Sequence, residues 1–358
     1  MKRVHLFWAI GAIVTIGVLI ASGTSTVYAA VACGDSIMSK TKLESNLDCT
    51  EYEGDALVIG ADDVTIDLNG YTITSNKSEH AAIFSAGFSR LTIKNGAIYG
   101  FQVGVLLFNS SKSEVKRLTL MHQSTDGIAI LDSRHMSISD VQASMLPLTD
   151  DGETVGIFLF GVKEASVERV STDGSFYGLM SIDGTNNHIK ENNFSAVGHV
   201  GIRLLGNTGS VIEKNQVVGE LPYQCYSAID VIAPEASTRI QILNNTLSKC
   251  AHGVFVVNNL TDPTAPQSRN ISIRDNYISE TADGVRLIRL QDSEVIGNHL
   301  HFNIAGIVLI EDSLNNLITE NSATGNVDWD MFHDESSTPN LWQDNTCVNT
   351  QGEDIDCP

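Results

Sequence analysis

The chain has 358 residues, of which 42% are hydrophobic and 18% are charged, and its formal net charge at pH 7 is −21. This strong negative charge argues against nucleic acid as a partner, because two polyanions repel each other. A chain of this length usually forms two domains, but no Pro/Gly/Ser-rich linker and no change of composition divides it. A solenoid, which grows by repetition, accounts for the undivided length.

Residues 1–30 have the features of an export signal, with two basic residues ahead of an apolar run from Leu6 to about Ile20. Small residues allow cleavage after Ala29 or after Ala32, and either cut removes both basic residues and takes the formal charge from −21 to −23. The alternatives are an uncleaved anchor and a lipoprotein modified at Cys33. After cleavage we expect an extracytoplasmic monomer with no stable membrane association.

A repeat becomes visible when the chain is aligned on a glycine followed by alternating aliphatic residues. The commonest spacings are 22 and 23 residues, with longer ones in between, which is typical of coils whose loops vary in length. Alternation with period 2 predicts a short strand after each glycine and argues against an α-helical solenoid. The repeats begin at Gly104, Gly127, Gly156, Gly178, Gly201, Ala228, Gly253, Gly284 and Gly306.

A second row lies about fifteen residues further along each coil, in the pattern aliphatic-x-x-Asn. Asparagine tolerates the left-handed backbone of a tight corner, and stacked amides bond from coil to coil. We therefore interpret this row as architecture. Its asparagines are Asn69, Asn192, Asn215, Asn245, Asn276, Asn298 and Asn321, while the early coils hold Gly96, Leu118, Val141 and Val170 in the same slot.

Six cysteines, an even number in a chain with an export signal, favour disulfides over a metal or redox site. Buried thiols are the alternative for the middle two. The pairs expected from sequence position are Cys33 with Cys49, Cys225 with Cys250, and Cys347 with Cys357.

These features resemble those of exported right-handed β-helix repeat proteins, a group that includes polysaccharide lyases, pectinases, alginate epimerases and NosD-type periplasmic domains. The likeness covers residues 33 to 350 and includes a first coil at 64–73 and a last coil at 340–347. It implies an all-β fold, a right-handed parallel β-helix solenoid of about ten coils with small caps at both ends. We expect the N-terminal cap at 31–60, the β-helix at 61–335 and the C-terminal cap at 336–358.

The enzyme motifs of this group are matched only in part. Asp150-Asp151-Gly152 is an acidic pair in a coil with an insertion, Ala251-His252-Gly253 lacks the first glycine of a Gly-His-Gly motif, and the segment 330–334 lacks the proline of Asp-Pro-His-Asp. Short motifs of this kind often arise by chance. No cluster of Met and His has the spacing of copper ligands.

The register of the coils gives a better guide to a site, because matched positions in adjacent coils stand about 4.8 Å apart. Polar residues concentrate in the middle coils on both sides of the repeated glycine. Those before it are His199, Tyr226, His252 and Asp283, and those two residues after it include Arg203, Asp230 and Arg286, with Phe255 among them. The sequence predicts one surface patch here.

This patch has the groups that uronate elimination or epimerisation requires, namely a cation for the carboxylate, a base and an acid. We assign Arg203 and Arg286 to the carboxylate, and Tyr226 or His252 to proton transfer, with His199 in reserve. The remaining candidates are carboxylates that would orient these groups or hold calcium, and aromatic side chains that would support the sugar. They are Asp230, Asp283, Phe158, Tyr177 and Phe255.

Three alternatives remain open at this point. Asp230 and Asp283 are two coils apart, near the upper carboxylate separation of about 9.5 Å for inverting glycosidases. The charged residues could instead form a solvated face with weak ion pairs. The protein could also bind polysaccharide, acidic or not, without processing it. Calcium is the one cofactor that the carboxylates would suit.

Overall fold

The computed structural model of the chain describes residues 31–76, 79–145, 153–220, 225–232, 236–259 and 267–357. The predicted signal at 1–30 and the Asp150-Asp151-Gly152 motif lie outside these residues. The described chain forms a right-handed parallel β-solenoid of about 13 coils. The predicted fold class is confirmed, but ten coils were too few, because the glycine row marks only the middle coils and the strands at both ends lack it.

All regular structure in the described ranges is β-strand. In chain order the strands are β1 (Asp35–Ile37), β2 (Thr41–Lys42), β3 (Leu47–Asp48), β4 (Leu57–Ile59), β5 (Thr65–Asp67), β6 (Thr72–Thr74), β7 (Ala81–Ala86), β8 (Thr92–Tyr99), β9 (Val103–Phe108), β10 (Glu114–Met121), β11 (Asp126–Leu131), β12 (Ser137–Ser144), β13 (Val155–Phe160), β14 (Ser166–Glu168), β15 (Ser171–Asp173), β16 (Tyr177–Ile182), β17 (His188–Lys190), β18 (Asn193–Val197), β19 (Val200–Leu205), β20 (Val211–Glu213), β21 (Gln216–Gly219), β22 (Cys225–Ile232), β23 (Gln241–Leu243), β24 (Thr246–Ser248), β25 (Cys250–Val257), β26 (Ser272–Arg274), β27 (Tyr277–Ser279), β28 (Asp283–Ile288), β29 (Glu294–Ile296), β30 (His299–His301), β31 (Ala305–Ile310), β32 (Leu317–Thr319), β33 (Ser322–Thr324), β34 (Trp329–His333), β35 (Leu341–Gln343) and β36 (Thr350–Gln351).

Each coil contributes to three faces, and every strand pairs in parallel with its counterpart in the next coil. The first face has 14 strands, β1, β4, β7, β9, β11, β13, β16, β19, β22, β25, β28, β31, β34 and β36. The second runs through β2, β5, β8, β10, β12, β14, β17, β20, β23, β26, β29, β32 and β35. The third runs through β3, β6, β8, β10, β12, β15, β18, β21, β24, β27, β30 and β33. The first face extends into both segments predicted to be caps.

The interior is filled by one aliphatic residue after another from the three faces, and these side chains are fully buried. The repeated glycine is required by close approach. A Cβ on Gly178 would lie 2.6 Å from the carbonyl oxygen of Gly201 in the next coil and 2.8 Å from the ring of Phe194 on the third face. The glycine row therefore marks a place where the first face packs too closely against the third and against the next coil to admit a side chain.

The asparagine row forms a buried ladder at the corner between the second and third faces. Each side-chain Nδ2 donates to the Oδ1 of the next asparagine at 2.9–3.0 Å, from Asn192 through Asn321 to Asn345. The expected reason was wrong in one respect, because the left-handed residue is the one before each ladder asparagine, such as Lys214 with φ 53°. Asn69 is itself left-handed and exposed, and it stands outside the ladder.

All six cysteines form the three expected disulfides, Cys33–Cys49, Cys225–Cys250 and Cys347–Cys357. The middle pair joins register partners of β22 and β25, two neighbouring strands of the first face. The other two close the ends of the solenoid. The buried-thiol alternative for Cys225 and Cys250 is therefore wrong.

Candidate functional site

Three rows of side chains point outward from the first face, at fixed positions relative to the repeated glycine. The first row, one residue before it, reads Val103, Asp126, Val155, Tyr177, Val200, Ser227, His252, Asp283 and Ala305. The second row, two residues after it, reads Leu106, Ala129, Phe158, Met180, Arg203, Asp230, Phe255, Arg286 and Val308. The third row, four residues after it, is apolar and reads Phe108, Leu131, Phe160, Ile182, Leu205, Ile232, Val257, Ile288 and Ile310.

The polar stretch of the second row begins with a buried ion pair. Both Nε and Nη2 of Arg203 donate to the Asp230 carboxylate, at 2.6–3.1 Å, and Nη1 donates to the Tyr177 hydroxyl at 3.0 Å. Asp230 is fully buried and the Arg203 side chain is 11% exposed. Burial raises the pKa of Asp230, and Arg203 opposes that rise. The Arg203 guanidinium thus makes its bonds within the protein. The alternative of a solvated face with weak ion pairs does not apply to this pair.

A second charge cluster lies in the next two coils, and only its Arg286 is substantially exposed. Nδ1 of His252 lies 3.1 Å from Oδ2 of Asp283, and Nη1 of Arg286 donates to the same oxygen at 2.7 Å. Burial acts to raise the pKa of Asp283, but the adjacent His252 and the hydrogen bond from Arg286 outweigh it and hold the pKa below its usual range. Arg286 has no other partner among the described residues and is 32% exposed, so its remaining donors are available to a ligand.

Aromatic rings connect the two charge clusters. The His199 ring stacks on Phe176 with a centroid separation of 4.7 Å and on Tyr226 with a separation of 5.4 Å. Tyr226 meets His252 edge to face at 5.3 Å, and His252 stacks on Phe255 at 4.7 Å. Burial and the nearby Asp230 raise the pKa of the Tyr226 hydroxyl, which keeps it protonated. Burial, together with Arg203, lowers the pKa of His199.

These groups border a groove of about 440 Å³ on the first face. One wall is aromatic, the other is aliphatic and belongs to the third row, and Arg286 adds one cation. The lining residues are Tyr226, Ile232, His252, Phe255, Val257, Arg286 and Ile288. Such a combination of apolar walls and few polar groups is typical of ligand sites.

The structure brings together only part of the predicted site. Tyr226, His252, Phe255 and Arg286 line the groove, and Asp283 lies behind the last of them. Arg203 and Asp230 bond to each other, while Tyr177, His199 and Phe158 lie in earlier coils. The Asp230 and Asp283 carboxylates each have their own cation, which does not favour paired-carboxylate hydrolysis.

Sequence reasoning missed the aliphatic wall of Ile232, Val257 and Ile288. The signal was present, because these residues stand four positions after the repeated glycine or alanine and continue the outward alternation. An apolar row at an outward position was the observation that would have defined the groove.

The partial match at 330–334 has a structural role. The Asp330 carboxylate accepts hydrogen bonds from the backbone N–H groups of Val348 and Asn349. The two ring nitrogens of His333 face the carbonyl oxygens of Asp334 and Glu353, at 2.9 and 2.6 Å. Both residues therefore attach the C-terminal segment to the last coils, and neither lies near the groove.

Two further features concern ions and membranes. In the described part of the chain, His, Cys, Asp and Glu side chains form no group of three or more that could hold a metal ion. Among the same residues, no helix is long and apolar enough to cross a membrane.

The chain matches the family model of the periplasmic copper-binding protein NosD over residues 50–262 and 248–352. Among curated proteins, no significant match was found. Similar solved structures include the surface adhesin PfbA of Streptococcus pneumoniae, with a TM-score of 0.54 and 10% identity, covering 85% of this chain and 83% of that one.

Two enzymes are similar to the same extent. The A-module of the mannuronan C-5 epimerase AlgE6 of Azotobacter vinelandii has a TM-score of 0.54 and 12% identity, and each chain is covered to 89%. An exopolygalacturonase of Thermotoga maritima has a TM-score of 0.52 and 8% identity, over 81% of this chain and 79% of that one. At these identities the likeness shows a shared fold, which does not determine chemistry.

Proposed function

We propose that this chain, which belongs to the NosD family, acts outside the cytoplasm on acidic polysaccharide. The polysaccharide binds in the groove of the first face, where its uronate units are eliminated or epimerised. The observation that carries this proposal is the convergence of Arg286, the His252–Asp283 pair and Tyr226 on one groove. The three disulfides and the periplasmic name of the family support the location.

The proposed chemistry begins with the substrate carboxylate, which the unbonded donors of Arg286 would neutralise. That neutralisation makes the adjacent C–H proton easier to remove. His252 takes this proton, because Asp283 holds its Nδ1 side and stabilises the imidazolium that forms. In elimination the electron pair forms the new double bond and expels the glycosidic oxygen, which receives the proton of Tyr226. In epimerisation His252 keeps the proton that it removed, and Tyr226 donates its own proton to the same carbon from the opposite face instead.

Copper, which the family name mentions, does not fit the described residues. Copper sites are made from His, Cys and Met ligands in close groups. All six cysteines are in disulfides, and His299 and His301 are only a pair, with ring centroids 6.3 Å apart. The proposed reaction therefore uses protein side chains without copper.

Binding without reaction is the second candidate function. The ring series from Phe176 to Phe255 continues beyond the groove, and the apolar third row follows it along the coils. A long surface of this kind suits an extended glycan, since aromatic faces pack against sugar C–H groups. The similarity to the adhesin PfbA is compatible with binding alone, just as the similarity to the two enzymes is compatible with elimination or epimerisation.

One experiment separates the two candidates. The purified protein is incubated with polymannuronate and with polygalacturonate, while unsaturated uronates are followed by ultraviolet absorbance and epimers by NMR. We expect product with wild type and a loss of about 100-fold or more in His252→Gln. Arg274→Gln, which alters an arginine paired with Glu294 on the second face, is the matched control. Binding to either polymer without any product would leave only the second candidate.

A further inference from the structure

We propose a second anion-binding site at the corner between the first and second faces, outside the groove, which takes carboxylate or sulfate groups of an anionic polysaccharide. Its side chains are Lys112, Arg134 and Lys163, which we call the cationic ridge. The ridge lies in three successive coils of the N-terminal half, whereas the groove begins at Tyr226. The proposal goes beyond the groove and does not require the groove to be catalytic.

The backbone stacks Arg134 and Lys163 in register in adjacent coils, and it places Lys112 one residue beyond Ser111, the register partner of Arg134 in the preceding coil. Ser111 forms a parallel bridge with Arg134, and Arg134 forms one with Lys163. The backbone N–H of Lys112 donates to the Arg134 carbonyl oxygen at 3.0 Å. Adjacent coils are separated by about 4.8 Å, so the ridge presents one positive charge per coil along the solenoid axis. All three side chains are exposed.

The ridge lacks the carboxylates that its neighbours have. Arg90 bonds to Asp62 and Asp63 at 2.6–3.0 Å, and His135 lies 2.7 Å from Glu164. Among the described residues, none of the three ridge cations forms an ion pair, although the chain has 43 acidic residues and only 22 Lys and Arg.

Like charges at opposed positions of neighbouring strands destabilise a sheet. Arg134 and Lys163 are opposed in this way and Lys112 lies beside them, so the three cations reduce stability in a protein that has an excess of carboxylates. A bound anion would remove this repulsion, and it would gain from the planar guanidinium of Arg134, which matches carboxylate and sulfate geometry.

The surface beside the ridge is concave and contains hydroxyl donors. A cavity of about 420 Å³ is lined by Ser89, Arg90, Ser111, Lys112, Arg134 and His135. The Ser89 Oγ accepts a hydrogen bond from the Ser111 backbone N–H at 3.1 Å, which leaves its own proton to be donated outward. Hydroxyl and cationic donors together are what an oxyanion requires.

A polymer suits the ridge better than a single small anion. The charges repeat at every coil, and the exposed rings of Phe108 and Phe160 precede the ridge by only a few residues in the chain. Rings pack against the C–H groups of sugars while cations take their acidic substituents. An acidic sugar chain lying along the axis would use a cation in each coil and a ring in the first and third of these coils.

The test compares two triple variants with the same change of charge. Lys112→Gln/Arg134→Gln/Lys163→Gln removes the ridge, and Lys40→Gln/Lys214→Gln/Lys249→Gln removes three cations elsewhere. Binding of long polygalacturonate, of heparin as a sulfated probe, and of inorganic sulfate is measured by titration calorimetry at low and high salt. Thermal melting checks folding, and the single variant Arg134→Gln serves if the ridge triple melts early.

We expect the ridge triple to lose about tenfold or more in affinity for a long polymer and to show a weaker salt dependence, because fewer counterions are released. The control triple should change affinity by no more than about twofold. Equal affinities in the two triples would overturn the proposal, as would binding of inorganic sulfate alone or failure of wild type to bind either polymer. Failure of the groove proposal is distinguishable, because a galacturonate trimer is too short to reach both sites and its binding to the ridge triple reports on the groove alone.

Discussion

The first face has the same backbone register along its length but two kinds of outward surface. From Val103 to Met180 the first two rows are mainly apolar and form two small hydrophobic clusters outside the core. From Arg203 to Arg286 the same positions hold two charge clusters separated by stacked rings. Because the backbone is the same in both stretches, the difference in chemistry comes from side chains alone. A solenoid can thus form a site through different residues at a few outward positions, while the backbone of its coils stays the same.

The largest expected effect tests whether the polar stretch is as tightly built as the apolar one. Arg203→Ala would leave the fully buried Asp230 carboxylate without its cation, and we expect a loss of about 3–5 kcal/mol in unfolding free energy. Denaturant unfolding measures it. The double variant Arg203→Met/Asp230→Leu, which makes these coils resemble the apolar stretch, should recover most of the loss. A small loss of unfolding free energy in the single variant would show that Arg203 serves ligand binding rather than stability.

A smaller effect is expected at the asparagine corner, where the early coils hold apolar residues and the later coils hold the ladder. Asn245 Nδ2 donates to Asn276 Oδ1 at 2.9 Å and to the Ile212 carbonyl oxygen at 3.0 Å. Asn245→Ala breaks these bonds and leaves buried partners unsatisfied, so stability should fall by about 1–3 kcal/mol. Asn193→Ala, at an exposed position beside the ladder, is the control. An unchanged melting temperature for Asn245→Ala would contradict the role of the ladder.

The cluster of His252, Asp283 and Arg286 should make stability depend on pH in the acid range. The pKa of Asp283 is lower in the folded protein than in the unfolded chain, so its contribution to stability is present above the unfolded pKa and is lost as pH falls through the folded pKa. In Asp283→Asn this part of the acid dependence should be absent. Unfolding free energies measured across the acid range provide the comparison, and identical slopes for the variant and wild type would exclude the assigned contacts.

The period and the alternation made the coils and their register predictable from sequence, and the register placed His252 beside Asp283. The coil number was underestimated because β1, β4, β7, β34 and β36 lack the glycine that marks the middle coils. Side-chain choice was harder to foresee, because it depends on neighbours in three dimensions. From the sequence, the Arg203 guanidinium could face either Asp230 or solvent. In the structure it bonds to Asp230, which its surroundings bury completely.

Replacement of Arg286 is expected to have the smallest effect on stability and a large effect on function. Its side chain is partly exposed, and its one bond is to Asp283, which also lies against His252. Arg286→Gln should therefore change unfolding free energy by no more than about 1 kcal/mol. It should also abolish binding of a uronate trimer, because the groove loses its one lining cation. Arg203→Gln provides the opposite pattern, with a large loss of stability at the committed arginine. If a uronate trimer still binds to Arg286→Gln, the carboxylate site lies elsewhere on the first face. The two stretches of that face would then differ only in their packing.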